Sequence, residues 1–111
     1  MMAKTTQQLA VRVLERLKVI AAGDTPSSAD AEAVKTYYAN VYPEMQDDNL
    51  VFWDEASIDT RAFEALADFI AGRLAPDFTE PRPDLEASGI DRLRRLSADV
   101  PSYLPVRTDY F

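Results

Sequence analysis

The chain of 111 residues contains no cysteine and no histidine. The first absence excludes disulfides and thiolate metal sites. The second removes the commonest general base near neutral pH together with the commonest metal ligand, so enzymatic readings start at a disadvantage. There is no apolar run near the ~18 residues that a membrane span needs. The opening stretch MMAKTTQQLAVRVLERL is interrupted by Arg12, Glu15 and Arg16 and does not read as a signal peptide. Positive charge is in deficit as well: 12 Lys and Arg stand against 19 Asp and Glu, a net charge of −7. That balance argues against general affinity for nucleic acid, which depends on counterion release by basic side chains.

What is present is a globular composition, 47% apolar and 28% charged, in a chain long enough for one domain with a modest core. The basic residues are nine Arg and only three Lys. Arginine is enriched at protein interfaces because its planar fork pairs carboxylates and stacks on rings, although a codon bias produces the same excess.

Helical signals dominate, and the expected fold is all-α, a small bundle of about four helices with an extended C-terminal arm. Thr5 and Gln8 have capping-box spacing. The helix they open is expected to run to about Ala22, with Leu14, Leu17 and Ile20 on its apolar face and Gly23 as C-cap. Ser27 or Ser28 caps a second helix, which Pro43 is expected to end near Val41 or Tyr42. Residues 44–57 read as a loop whose Leu50–Trp53 run presses on the core; a small two-stranded element is the alternative. A third helix, the core helix, is expected from Asp59 to Leu74 with Ala62, Phe63, Leu66, Ala67, Ile70 and Leu74 as its stripe and Pro76 as its stop. A fourth is expected from Asp84 to Ser97, weakened by Gly89 by about 1 kcal/mol relative to alanine.

The domain is therefore residues 1–97, and residues 98–111, ADVPSYLPVRTDYF, form an arm. Pro101 and Pro105 prevent helix and push Val100 and Leu104 into extended conformations. Yet Val100, Tyr103, Leu104, Val106, Tyr110 and Phe111 make the segment too apolar for an ordinary disordered end. Extended, it reaches roughly 45 Å at about 3.3 Å per residue. It either folds back over its own helices or docks on another chain, and the second reading is preferred.

No residue earns a catalytic role, and neither a cofactor nor a metal is expected. Asp47, Asp48, Asp54 and Glu55 lack the ligand spacing and turn glycine of an EF-hand loop and read as a solvated acidic loop. Arg92, Arg94 and Arg95 suit pairing with a neighbouring subunit's carboxylates better than nucleic-acid contact, beside the plain alternative of a solvated face. Trp53, Tyr37 and Tyr38 read as core or interface aromatics. The acids are too many for any one pair to signal glycoside hydrolysis.

Three segments in order carry a resemblance. AGDTPSSADAEAV after the first helix, AFEALADFIAGRLAPDFTEP at residues 62–81 and PVRTDYF at 105–111 are similar to the phage head-to-tail adaptor family, the packaged-DNA-stabilisation and tail accessory proteins. The resemblance implies a helical subunit in a ring of about twelve copies beneath the portal vertex. Its arm, here Tyr103, Leu104, Pro105, Val106, Arg107, Tyr110 and Phe111, would dock on the portal protein. The opposite face would receive the next neck or tail protein, and double-stranded DNA would pass without sequence-specific binding. The implied place is the virion neck, assembled in the host cytoplasm. The chain departs from the family in lacking extra C-terminal helical sequence, in carrying no cell-wall hydrolysis motif, and in placing Pro43 where the second helix often continues. The rival readings are a small helical protein-binding module or regulator with a docking tail and, third, a small cell-wall hydrolase.

Overall fold

The computed structural model describes residues 3–99. Four helices follow in order: α1 (Thr6–Arg16), α2 (Ser28–Asp47), α3 (Phe63–Phe78) and α4 (Pro83–Asp99). The all-α expectation holds. The arm residues Tyr103, Leu104, Pro105, Val106, Arg107, Tyr110 and Phe111 lie outside the described residues.

The capping box is formed as its spacing requires. Gln8 N–H donates to Thr5 Oγ1 at 3.1 Å and Thr5 N–H donates to Gln8 Oε1 at 2.8 Å. α1 nevertheless stops well short of Ala22, because Lys18 turns left-handed at φ 62°. Lys18 N–H then reaches Glu15 O at 3.0 Å and Val19 N–H reaches Leu14 O at 2.9 Å, the paired bonds of a Schellman cap. Val19 and Ile20 still pack on the core, but from the connection rather than from the helix. Gly23, the expected cap, instead takes φ +87° in the following turn. A Cβ strains the left-handed conformation by about 1 kcal/mol, so Lys18→Gly is expected to stabilise the fold by up to about that amount. A urea midpoint that stays in place or falls would refute this.

Ser27 caps α2 by accepting from Asp30 N–H at 3.1 Å. Pro43 does not end this helix, which continues to Asp47. The carbonyl that Pro43 leaves without a donor is that of Ala39, four residues back, and both residues are exposed, so water can take the missing donor's place. α2 closes on a second Schellman cap, with Asn49 at φ 60° and Leu50 N–H on Met45 O at 2.9 Å. Asparagine tolerates that conformation.

α3 is the centre of the bundle. The expected stripe of Ala62, Phe63, Leu66, Ala67, Ile70 and Leu74 is buried, and so are Ala65, Phe69, Ala71 and Ala75. Pro76 does not stop it; Pro76 is exposed in the last turn, and the helix ends at Phe78. The helix begins at Phe63 rather than Asp59, since Asp59 and Arg61 form the turn before it. α1 runs beside α3 in the same direction, Arg12 meeting Glu64 and Arg16 meeting Asp68. α4 runs antiparallel to α3 and, among the described residues, lies against no other helix.

The α3–α4 seam is set by two glycines. A Cβ on Gly89 would stand 2.5 Å from Phe69 N and 2.7 Å from Ala65 O. A Cβ on Gly72 would stand 2.3 Å from Glu86 N. Gly89, which lowers helix propensity, is thus the condition for backbone-to-backbone approach. Leu50 and Trp53 of the 48–62 connection are buried, with Val51 and Phe52 packed partly beside them. The connection adds only isolated bridges, Lys4 with Ile58 and Asp54 with Ser57.

Candidate functional site

The fold brings most of its charged chemistry to one strip. Arg12 and Arg16 stand one turn apart on α1, Glu64 and Asp68 one turn apart on α3, and Arg92 projects from α4. Arg12 Nε donates to Glu64 Oε1 at 2.9 Å. Asp68 is only 4% exposed. Its two oxygens accept from different helices, Oδ1 from Arg16 Nε at 2.5 Å and Oδ2 from Arg92 Nη1 at 2.8 Å. One carboxylate therefore ties three helices together.

This strip divides the three α4 arginines considered for subunit contacts. Arg92 is committed within the chain to Asp68. Arg95 pairs with Asp91 one turn earlier on the exposed surface of α4. Arg94 is exposed, and among the described residues it makes no ion pair. Arg92 and Arg95 line a shallow surface depression of about 270 Å³ together with Arg61 and Leu96. Arg61 donates from Nε to Asp59 Oδ1 at 3.2 Å and lies 5.3 Å from the Phe52 ring centroid. The Arg61 hydrogen bond holds the Asp59 carboxyl below its usual range.

The aromatic residues form a clasp. Trp53 Nε1–H donates to Tyr38 Oη at 3.1 Å, and the Tyr38 hydroxyl donates to Glu55 O at 2.9 Å. The Tyr42 hydroxyl donates to Trp53 O. The connection is thereby fastened to α2. Burial pushes the Tyr38 hydroxyl well above its usual pKa, and Tyr42 shifts the same way for the same reason. Unfolded tyrosine ionises at about pH 10, while the folded groups keep their protons to higher pH, so stability falls as pH rises past about 10. Tyr38→Phe is expected to cost about 1–2 kcal/mol at neutral pH, because Trp53 Nε1 and Glu55 O lose a buried partner. It should also blunt the alkaline loss. A variant as stable as the parent and equally alkali-sensitive would remove the clasp's role.

Among the described residues no cluster of three or more Asp and Glu is arranged to hold a metal ion, and Asp47, Asp48, Asp54 and Glu55 are exposed. No helix among them is long and apolar enough to cross a membrane. The buried acid Asp68 escaped the reading by residue type, though a signal was available. Glu64 and Asp68 sit four apart in the first two turns of α3, where every other residue is apolar, and Arg12 and Arg16 repeat that spacing on α1.

With this geometry in view, comparison with known proteins adds nothing to it. No family model, curated protein or solved structure matches the chain. The arginine depression and the seam beneath it must therefore be read from their own chemistry.

Proposed function

We propose that the chain is a structural head-to-tail adaptor of a tailed phage, a subunit of a ring beneath the portal vertex. The ring extends the DNA channel, retains packaged DNA and receives the neck or tail protein. The observation that carries this reading is a division of apolar residues. The core runs from Leu9 to Leu93 within a helical body. Val100, Tyr103, Leu104, Val106, Tyr110 and Phe111 follow α4 in a sequence punctuated by Pro101 and Pro105. A self-contained body continued by an apolar arm suits a subunit that grips a larger assembly and spends its ordering entropy only on docking. α4, packed on α3 alone, leaves its outer flank, with Arg94, for a neighbour in the ring. The ring contact would be heterologous, one face meeting a different face. The charge of −7 per chain discourages DNA from adhering in transit. The roles assigned are mechanical, with no catalytic residue.

The test is the mass, by light scattering, of the chain mixed with the portal ring of the same phage. The full chain should add a ring's mass, and a version truncated after Asp99 should add none. Tyr110→Ala combined with Phe111→Ala should leave the fold intact and weaken portal binding at least about tenfold, as loss of aromatic anchors does. No gain of mass with either version would favour a helical binding module for some other partner. Unchanged portal affinity in the double variant would remove the arm from the account.

A further inference from the structure

The depression lined by Arg61, Arg92, Arg95 and Leu96 is rich in hydrogen-bond donors, although each of its arginines has a carboxylate of its own. A guanidinium carries five N–H donors. Arg92 donates from one nitrogen to Asp68 and Arg95 from one to Asp91, while Arg61 donates from two to Asp59. The Arg95 and Asp91 side chains are 70% and 67% exposed, a setting in which an ion pair contributes little, so Arg95 can turn to another carboxylate. Arg94, exposed beside it, has no ion pair among the described residues. The opposite charge gathers on one stretch of chain. Residues 36–60 hold Glu44, Asp47, Asp48, Asp54, Glu55 and Asp59 and not one Lys or Arg. Among the described residues, Asp59 alone of these six is in an ion pair. Glu44, Asp47 and the C-cap Asp48 are exposed at the end of α2, whose last turn has no basic residue. They stand at the negative end of the helix dipole, where acids are disfavoured and a cation is stabilised. A cation brought there from outside gains from the side chains and the dipole together.

We infer that the hollow receives the α2 end of a second copy of the chain, whose Asp47 and Asp48 take the open donors of Arg95 and its neighbour Arg94. The two patches stand at one pole of the bundle. Tyr37 of α2 meets Arg73 late in α3, its hydroxyl accepting from Arg73 Nη1 at 3.1 Å, whereas Tyr42 reaches Trp53 ahead of α3. α2 therefore runs against α3 and ends at the level where α3 begins and α4 ends. Yet α2 and α4 do not touch within the chain, so the patches belong to different flanks. Two copies set side by side in the same sense bring the acidic end of one level with the hollow of the other. Such a contact is heterologous and repeats from copy to copy. Pro43, exposed one turn before Asp47, shares its helix face and gives Leu96 an apolar counterpart. A small anion finds no enclosure in so shallow a depression, whereas a helix end bearing several carboxylates matches its charge across a surface. The contact names the neighbour of α4 in the ring proposed above and rests on that reading.

The experiment is sedimentation velocity on the full chain alone, over a range of concentrations in about 0.05 M and about 0.5 M salt. The parent should grow past a dimer as concentration rises and lose that growth in the higher salt. Arg94→Glu with Arg95→Glu should weaken association at least about tenfold, as like charges brought together do. Asp47→Lys with Asp48→Lys should do the same. None of these four residues belongs to the core, so both double variants should keep the fold, which thermal unfolding verifies. An equimolar mixture of the two should associate again, because every contact between alternating variants joins opposite charges. A parent that stays monomeric, an association indifferent to either variant, or a mixture that stays apart would overturn the contact. Growth that stops at a dimer would overturn the side-by-side arrangement. The sample contains no portal protein, so failure here leaves the light-scattering result to stand or fall by itself.

Discussion

Gly89→Ala is expected to destabilise the protein by about 2 kcal/mol, although alanine is the better helix former by about 1 kcal/mol. The added methyl would stand 2.5 Å from Phe69 N, 2.7 Å from Ala65 O and 2.8 Å from Phe69 Cα. All three are backbone atoms of α3, so no rotamer change relieves the clash. α4 has to lift away from α3, and overpacking of that kind costs typically 1–3 kcal/mol and occasionally more. Leu93, fully buried in the core from α4, would lose contact as the seam opens. In a domain of this size the loss corresponds to a fall in melting temperature of roughly 10 °C. Thermal unfolding decides between the two effects by sign. A rise would mean that propensity wins and that the helices are not in backbone contact at this point.

Asp68→Ala is expected to cost more, about 3 kcal/mol. Its carboxylate is buried, and removing it strips Arg92 of its partner and leaves Arg16 only Glu64, at 3.5 Å. Breaking a buried pair from one side costs about 3–5 kcal/mol. The lower end applies because the Arg16 and Arg92 side chains are 32% and 40% exposed and water can recover part of their solvation. Asp68→Asn keeps the shape but not the charge and should fall between. Replacing all three residues together by apolar ones of similar size should recover most of the loss, since no unpaired charge then remains. Urea unfolding of the single and triple variants makes the comparison. A single variant within about 0.5 kcal/mol of the parent, the range of an ordinary surface substitution, would show that Asp68 does not join the helices energetically.

The elements that sequence reveals well here are those whose signals are local. Thr5 with Gln8, Ser27 before Asp30, and the apolar stripe from Ala62 to Leu74 each act within one or two turns, and each is found where its spacing places it. The boundaries that differ were decided by features a local pattern does not carry. Lys18 stops α1 with no glycine present, because the Val19 and Leu14 bonds compensate its left-handed backbone. Pro43 and Pro76 are accommodated because both face outward, which depends on how the helices pack. Gly89 reads locally as a weakness, and its value exists only opposite Ala65 and Phe69. The candidate site was legible in part. Arg92 and Arg95 were marked by their clustering, whereas Arg61 and Asp68 joined them only through the third dimension.

The attachment of α4 to α3 alone has a mechanical consequence. Any tension on residues 100–111 enters the body at the C-terminal end of α4, within two turns of Arg92 and Leu96. When directed along α4, it runs along a seam where Gly89 and Gly72 hold two backbones together, and the load falls on that seam in shear. Shear must strain the Asp68–Arg92 bond and the buried Leu93 together, and it reaches α1 only through the Arg16 bond to the same carboxylate. A chain built this way would yield first by losing α4 as a unit, with α1, α2 and α3 left as the remaining body.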